Sequence, residues 1–529
     1  MLGVGLASGV AGVVGPGWKE DGPYTLRPNV DASSFLSYTP LTLSVNNITG
    51  AFVKAMPKYV QKVPNVAPFG ACFSSKNISS TRLGPAVPTI NLVLQSKNIG
   101  PDDIRMISYD VTWKSVITQT TPRPILQVTK DAKTLQYVTQ VSQRTPLVPV
   151  KLTIDLGGEF MWVNCQRSYT SSSYLPATCG SPQCKLLNTT SCLTQCLGPP
   201  SLDCANNTCS TFPINTISNN TGTGGLIHGD VFVIQVTDGE NILPSVSVPS
   251  VYFVCGTDFL NEGLADEVTG MAGLGRTGMS LPAQLSSYFG FNRKFALCLS
   301  SSTTSSGAVF FGDGPYTLSP NVGASSSFTY TPLIINPVSE SGFAGDASPK
   351  YYIGVKSIYV SHKRVTGFNE TLLSINAQGL GGTAISTADP YTVLESSIYN
   401  ALIEAFVEKM PRKVQKVANV APFGACFSSM NISRTSRGPI VPSIDLVLQS
   451  RNIWRIFGAN SMVAVNKDVM CLGFVQARAN LTTTIPIVIG GHQIEDNLLQ
   501  FDLTKSRLGF SSSIFRRTSC GNFNFTSSA

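Results

Sequence analysis

From about Ile125 onward, short apolar runs alternate with clusters of Gly, Pro, Ser and Asn. Runs such as Val148 to Ile154, Val231 to Val236 and Tyr351 to Val355 are rich in β-branched and aromatic residues and bounded by turn formers, so each predicts a strand. Helical spacing is rare. The best case is Ser397 to Met410, which places Leu402, Ala405, Phe406 and Met410 on one face and stops before Pro411. The pattern predicts a mainly β protein.

Composition agrees with that reading. Charged residues make up 13% of the 529 and hydrophobic ones 42%, a strand-and-turn balance rather than a helical or disordered one. This length calls for two domains or one large bilobal fold. The net charge of +8 is spread thinly, and its densest groups, Lys409 to Lys416 and Arg516-Arg517, do not amount to a nucleic-acid footprint. No run of about 20 apolar residues predicts a membrane span. The apolar segment Leu2 to Val14 is glycine-rich and has no basic residue ahead of it, which makes it a poor secretory signal.

Thirteen cysteines are present, seven of them between Cys165 and Cys209. Cys192-x₃-Cys196 and Cys204-x₄-Cys209 superficially resemble zinc spacing. Their density beside glycosylation sequons at Asn188, Asn206, Asn219, Asn369, Asn431, Asn480 and Asn524 instead predicts a secreted, disulfide-bonded glycoprotein without metal or other cofactor. The three histidines, His228, His362 and His492, stand beside no nucleophile motif and are expected as surface or turn residues.

The front of the chain is a broken duplicate. Residues 51–98 match residues 405–452 at 35 of 48 positions, including Asn65 to Cys72 against Asn419 to Cys426. Upstream the offset changes, with Asp21 to Leu26 matching Asp313 to Leu318. The copy lacks any counterpart of Ser386 or Cys471. Residues 1–124 are therefore expected to be a fused or decayed tandem copy plus linker, rather than a regulatory prosegment or an independent domain.

Two loops carry the candidate chemistry. Ile154-Asp155-Leu156-Gly157-Gly158 leads to Trp162-Val163-Asn164-Cys165, and Gly381-Gly382-Thr383-Ala384-Ile385 leads to Ser386-Thr387-Ala388-Asp389. With Gly270 to Arg276, and Ile487 to Gly491 followed by Leu498 to Phe510, this resembles the pepsin-like aspartic protease family over residues 125–529. That implies a bilobal fold with lobes at 125–325 and 326–529. Arg144 to Val150, Lys294 to Ser301, Trp454 to Met462 and Cys520 to Phe525 more narrowly resemble the plant extracellular dermal glycoproteins, whose relatives include basic 7S globulins and inhibitors of xylanases and xyloglucan endoglucanases. The resemblance implies six disulfides, which the twelve cysteines other than Cys72 can supply: Cys165, Cys179, Cys184, Cys192, Cys196, Cys204, Cys209, Cys255, Cys298, Cys426, Cys471 and Cys520.

The family's proteases use two aspartates sharing one proton, one acting as base on water and the other as acid. Here Asp155 fills the first position and Ser386 the second. Further departures accompany it. Leu156 replaces a threonine, Gly158 a serine and Ala388 a glycine, and no tyrosine lies between Cys209 and Val231, where active members carry one over the substrate. Rescue by Asp389 would need a three-residue shift that turns the side chain to the opposite face of an extended segment. The expected protein is thus an inactive, extracellular, monomeric homologue that inhibits a microbial endoglucanase or xylanase. A residual aspartic endopeptidase and a storage or peptide-binding globulin are the alternatives. The same resemblance points to Arg516 and Arg517, with Arg434 and Arg437, as the inhibitory contact, since a guanidinium can bridge the paired carboxylates of a glycosidase cleft.

Overall fold

The computed structural model describes residues 122–525, except 167–168, 199–200, 219, 240, 320–321, 324–327, 340–345, 479–483 and 512–518, together with several short strands ahead of residue 122. The chain divides into two compact units, Met1–Thr121 and Pro122–Ala529.

The larger unit is built on an internal repeat that follows from its strand patterns. Val148–Asp155 runs parallel to Val268–Gly273, with Asp155 opposite Gly273, and Trp162–Asn164 runs antiparallel to that partner. In the second lobe, Thr383–Ile385 runs parallel to Ile487–Ile489, and Thr392–Leu394 runs antiparallel to it. Strands packed on both faces should be apolar throughout, and the last four residues of Val148–Asp155 are all buried. Tyr137–Gln143, covered more on one face, alternates instead.

The lobes share a sheet. The hairpin of Leu498–Asp502 and Arg507–Ser511 pairs with Lys294–Cys298 on one side and Thr329–Ile334 on the other. Phe295 stacks on Phe501 with ring centroids 4.8 Å apart, and Tyr351 packs 4.6 Å from Phe501. A polar junction lies elsewhere. Glu495, 2% exposed, accepts from Tyr137 Oη at 2.7 Å and pairs with Lys130 Nζ at 2.6 Å, while His492 Nδ1 stands 3.2 Å from its other oxygen.

The predicted helix spans Ser396–Lys409 and buries Leu402, Ala405 and Phe406. It starts one residue early because the Glu395 carboxylate caps the amides of Ser397 and Ile398. The Val231 run belongs to a longer strand, Gly225–Thr237. The Tyr351 run breaks in two: Tyr351–Ile353 joins the central sheet, and Val355–Val360 leaves it to pair with Ile444–Leu448. The crossing point is Gly354, where a Cβ would stand 2.2 Å from the Gln449 side chain. A second helix, Leu281–Phe289, was not anticipated; Pro282 lies in its first turn and Gly290 ends it at φ 71°.

Among the described residues six disulfides form: Cys165–Cys255, Cys179–Cys192, Cys184–Cys209, Cys196–Cys204, Cys298–Cys520 and Cys426–Cys471. The zinc-like spacings are therefore split among different bridges.

In the front unit, Lys62–Val63 pairs with Ala71–Phe73 in the register that Lys416–Val417 and Cys426–Ser428 use in the larger unit. Ser80–Thr81 and Gly84–Pro85 likewise repeat the Arg434–Pro439 hairpin. Leu2–Val4 supplies the third strand and sets Gly3 opposite Cys72, whereas Cys471 lies opposite Cys426 in the larger unit.

Candidate functional site at the paired loops

The two loops occupy equivalent places. Asp155 ends its strand opposite Gly273. Ser386 follows Thr383–Ile385 directly and donates its backbone N–H to Ile489 O at 2.9 Å, just before Gly490. Ser386 therefore takes the place in the second-lobe loop that Asp155 takes in the first.

Asp155 is 4% exposed. Its Oδ1 accepts the Gly157 amide at 3.0 Å and its Oδ2 accepts Thr216 Oγ1 at 3.0 Å. Burial pushes its carboxyl above the usual range, while the Thr216 hydroxyl, the Gly157 amide and the charge of Lys350 pull the other way. The Lys350 stem lies against the same loop, with Cγ 3.0 Å from the place a Cβ on Gly157 would take. The Ser386 hydroxyl accepts from the amides of Ala388 at 3.1 Å and Asp389 at 3.2 Å. It caps its own turn as the Asp155 carboxylate caps the first. A serine hydroxyl does not ionise at the pH values where carboxyls titrate, so this pair holds one titratable proton instead of sharing one between two acids.

The expected losses have specific structural outcomes. Leu156 is fully buried in the core and makes no cross-loop hydrogen bond through its side chain. The cross-loop hydrogen bonds come from the other side: Thr387 Oγ1 donates to Ile154 O at 2.7 Å and accepts the Leu156 amide at 3.0 Å. At Gly158 a Cβ would stand 2.9 Å from Asp155 Oδ2, the oxygen to which Thr216 Oγ1 donates. Trp162 Nε1 donates to Ile214 O at 3.1 Å. Asp389 is fixed through its backbone, its N–H on Ser386 and its carbonyl accepting from Gly491.

Thr387, Thr216 and Lys350 were not anticipated. Thr387 had a signal, because Ser386-Thr387-Ala388 keeps the middle residue of an aspartate-threonine-glycine turn. Thr216 and Lys350 come from segments 61 and 195 residues beyond Asp155 and have no local signature.

The remaining candidates are dispersed. Arg434 is exposed on a short hairpin, and the Arg437 guanidinium lies 4.5 Å from the Phe457 ring centroid. Arg516 and Arg517 lie outside the described residues, as do Asn219 and Asn480. Asn188, Asn206, Asn369, Asn431 and Asn524 are exposed. His362 sits in a turn as expected. His228 does not: it is buried, with Nε2 2.7 Å from Leu202 O, and burial lowers its pKa. The strand Gly225–Thr237 carries it into the first-lobe core, which no spacing had indicated. His492 is mostly buried beside Glu495.

Among known families, the xylanase inhibitor N-terminal region matches residues 137–313, and the xylanase inhibitor C-terminal region matches residues 350–512 and, separately, 28–111. The chain belongs to the xylanase-inhibitor family. Within that family, a probable aspartic proteinase GIP2 of Nicotiana benthamiana is 56% identical over 427 residues, covering 79% of this chain and 96% of the relative. The crystal structure of EDGP matches with a TM-score of 0.74 at 52% identity, covering 77% of this chain and 98% of that one. Basic 7S globulin from soybean matches with a TM-score of 0.65 at 35% identity, covering 76% and 99%. This family member is a pepsin-like, bilobal, mainly β protein, and its second C-terminal match falls on the duplicated front. Six disulfides are characteristic of folding in an oxidising compartment, and among the described residues no helix is long and apolar enough to cross a membrane.

Proposed function

We propose that the protein is an extracellular, catalytically deficient pepsin-fold homologue that binds and inhibits microbial cell-wall glycoside hydrolases. The observation that supports this reading is the single carboxylate at the paired loops: the second-lobe loop equivalent to that of Asp155 carries Ser386, bonded into its own turn. General acid–base catalysis contributes about 10²–10⁴-fold, and half a dyad forfeits it. The family's name supplies the alternative use of the scaffold, binding to xylanases. Retained cross-loop bonds from Thr387 and the capping of Asp155 by Thr216 support a rigid platform rather than a working site.

A second reading, aspartic endopeptidase, is favoured by the name of the Nicotiana relative. The loop chemistry argues against it. Storage, suggested by the 7S globulin relatives, has no distinguishing residue in this chain.

Glycosidase clefts are acidic because two carboxylates flank the scissile bond. Arg434 and Arg437 on their hairpin, and Arg516 with Arg517 near the last cysteine, are the cations proposed to enter such a cleft. Titrating sensitive endoglucanases and xylanases with the purified protein should give saturable inhibition. Replacing a buried guanidinium anchor by alanine should weaken it by about 2 kcal/mol or more, without lowering Tm. Full inhibition by the Arg434→Ala, Arg437→Ala, Arg516→Ala, Arg517→Ala variant would place the contact elsewhere. No inhibition by the wild type of any enzyme in either class would overturn the reading itself.

A further inference from the structure

Away from the paired loops, three turns gather at one four-stranded sheet formed by Lys416–Val417, Cys426–Ser428, Val469–Leu472 and Met462–Ala464. Hydrogen bonds tie the turns together. Asn431 Nδ2 donates to Lys413 O at 3.0 Å, the Ser428 amide to Gln415 O at 2.9 Å, and Ser429 Oγ to Lys467 O at 2.8 Å. This brings Arg412, Lys413, Lys416, Arg434 and Lys467 onto neighbouring exposed segments.

Their charges are not offset by neighbouring carboxylates, as those of several other exposed cations are. Lys133, Lys151, Lys363 and Arg364, on other exposed surfaces, each pair with an aspartate or glutamate. Among the described residues none of these five has a carboxylate within ion-pair distance. One acid, Asp468, shares the turns, and its carbonyl accepts the Ser429 amide. Five cations against one acid leave a concentrated positive face on a protein whose net charge is otherwise thinly spread.

We propose that this face docks an acidic polysaccharide with regularly spaced carboxylates, a polyuronate. A single phosphate or carboxylate would need buried donors converging on one point, whereas these cations are exposed and distributed over three turns. A protein partner would need an aromatic or apolar anchor at the centre of the contact. Here Phe457 is covered by the Arg437 guanidinium, and the most exposed large apolar residue is the flexible Met430, 85% exposed. Between the cations stand hydroxyl and amide groups, Ser433, Ser436, Gln415 and Asn466 among them, which suit ring hydroxyls. The glycosylation candidate Asn431 lies on the same face, so occupancy there would tune access.

The inference does not rest on the inhibitory reading, shares only Arg434 with it, and is tested on other residues. Binding of the full secreted protein to de-esterified polygalacturonate is measured by calorimetry, before and after enzymatic removal of N-glycans. Fully methyl-esterified polymer and polyglutamate are the comparison ligands. Binding is expected at low ionic strength, with release as salt passes about 0.15 M, where screening acts within about 8 Å. Arg412→Gln, Lys413→Gln, Lys467→Gln together should weaken it roughly tenfold at unchanged Tm, the summed effect of three exposed ion pairs. The methyl-esterified polymer should not bind. No binding by either glycoform, or undiminished binding by the triple variant, would overturn the assignment. Polyglutamate binding as tightly as polygalacturonate would also overturn it, in favour of an acidic protein partner.

Discussion

Replacing Cys298 and Cys520 together by alanine is expected to lower stability by about 5 kcal/mol, the largest loss from any single covalent change in the larger unit. The two cysteines are 222 residues apart, and their bridge ties the first-lobe strand Lys294–Cys298 to the end of the chain. Chain-entropy reasoning makes the loss grow with the length of loop that is closed. Both residues are fully buried, and the Cys520 amide donates to Asp496 Oδ1 at 2.9 Å, so the surrounding packing would also loosen. The comparison is Cys196–Cys204, only 8 residues apart, for which the same reasoning gives about 2.5 kcal/mol. Denaturant unfolding of the two double-alanine variants should rank them in that order. Equal losses, or the reverse order, would show that packing rather than loop closure sets the contribution of these bridges.

Glu495→Ala is expected to cost about 3–5 kcal/mol, the range for breaking a buried ion pair from one side. The change strands Lys130, whose side chain is 13% exposed, and the hydroxyl of Tyr137, which is 1% exposed. It also removes a contact that joins first-lobe strands to the second lobe. Burial alone would raise the Glu495 carboxyl, but the hydrogen bond and charge of His492 and the charge of Lys130 more than offset it, so the group titrates below its ordinary range. A depressed acid contributes stability that is present above its unfolded pKa, about 4.3, and is lost as pH falls through its folded value. Asp155 and Asp496, raised chiefly by burial, have the opposite sign and favour the folded state in acid. In Glu495→Gln the loss of stability below about pH 4.3 should therefore be shallower than in the wild type. An unchanged acid limb would mean that the Glu495 carboxyl has the same pKa in the folded and unfolded chain, and a steeper one that burial raises it.

Much of the architecture could be read from local patterns. The strands around Val148 to Ile154 and the helix ending before Pro411 announced themselves through β-branched runs and helical spacing, and the two loop sequences located Asp155 and Ser386. What escaped was long-range. Thr387 reaches Ile154 and Leu156 across more than 230 positions, and Glu495 meets Tyr137 across 358. No period in the sequence encodes such partners. The break at Gly354 was missed for a related reason: an uninterrupted apolar run says that a segment is buried, but not that Gln449 leaves no room for a Cβ and that the chain changes sheets there. His228 read as an ordinary polar residue because the strand that buries it was expected to begin only at Val231.

The central claim is that one carboxylate beside Ser386 makes this pepsin fold a binder and not a protease, and peptide release tests it most directly. Unfolded haemoglobin is incubated with the purified protein across the acid to neutral range, with and without a transition-state mimic of aspartic proteases. New amino termini are counted against a sample of the Asp155→Asn variant. The account predicts no release above that variant at any pH. Release by the wild type that the mimic abolishes and the variant lacks would contradict it.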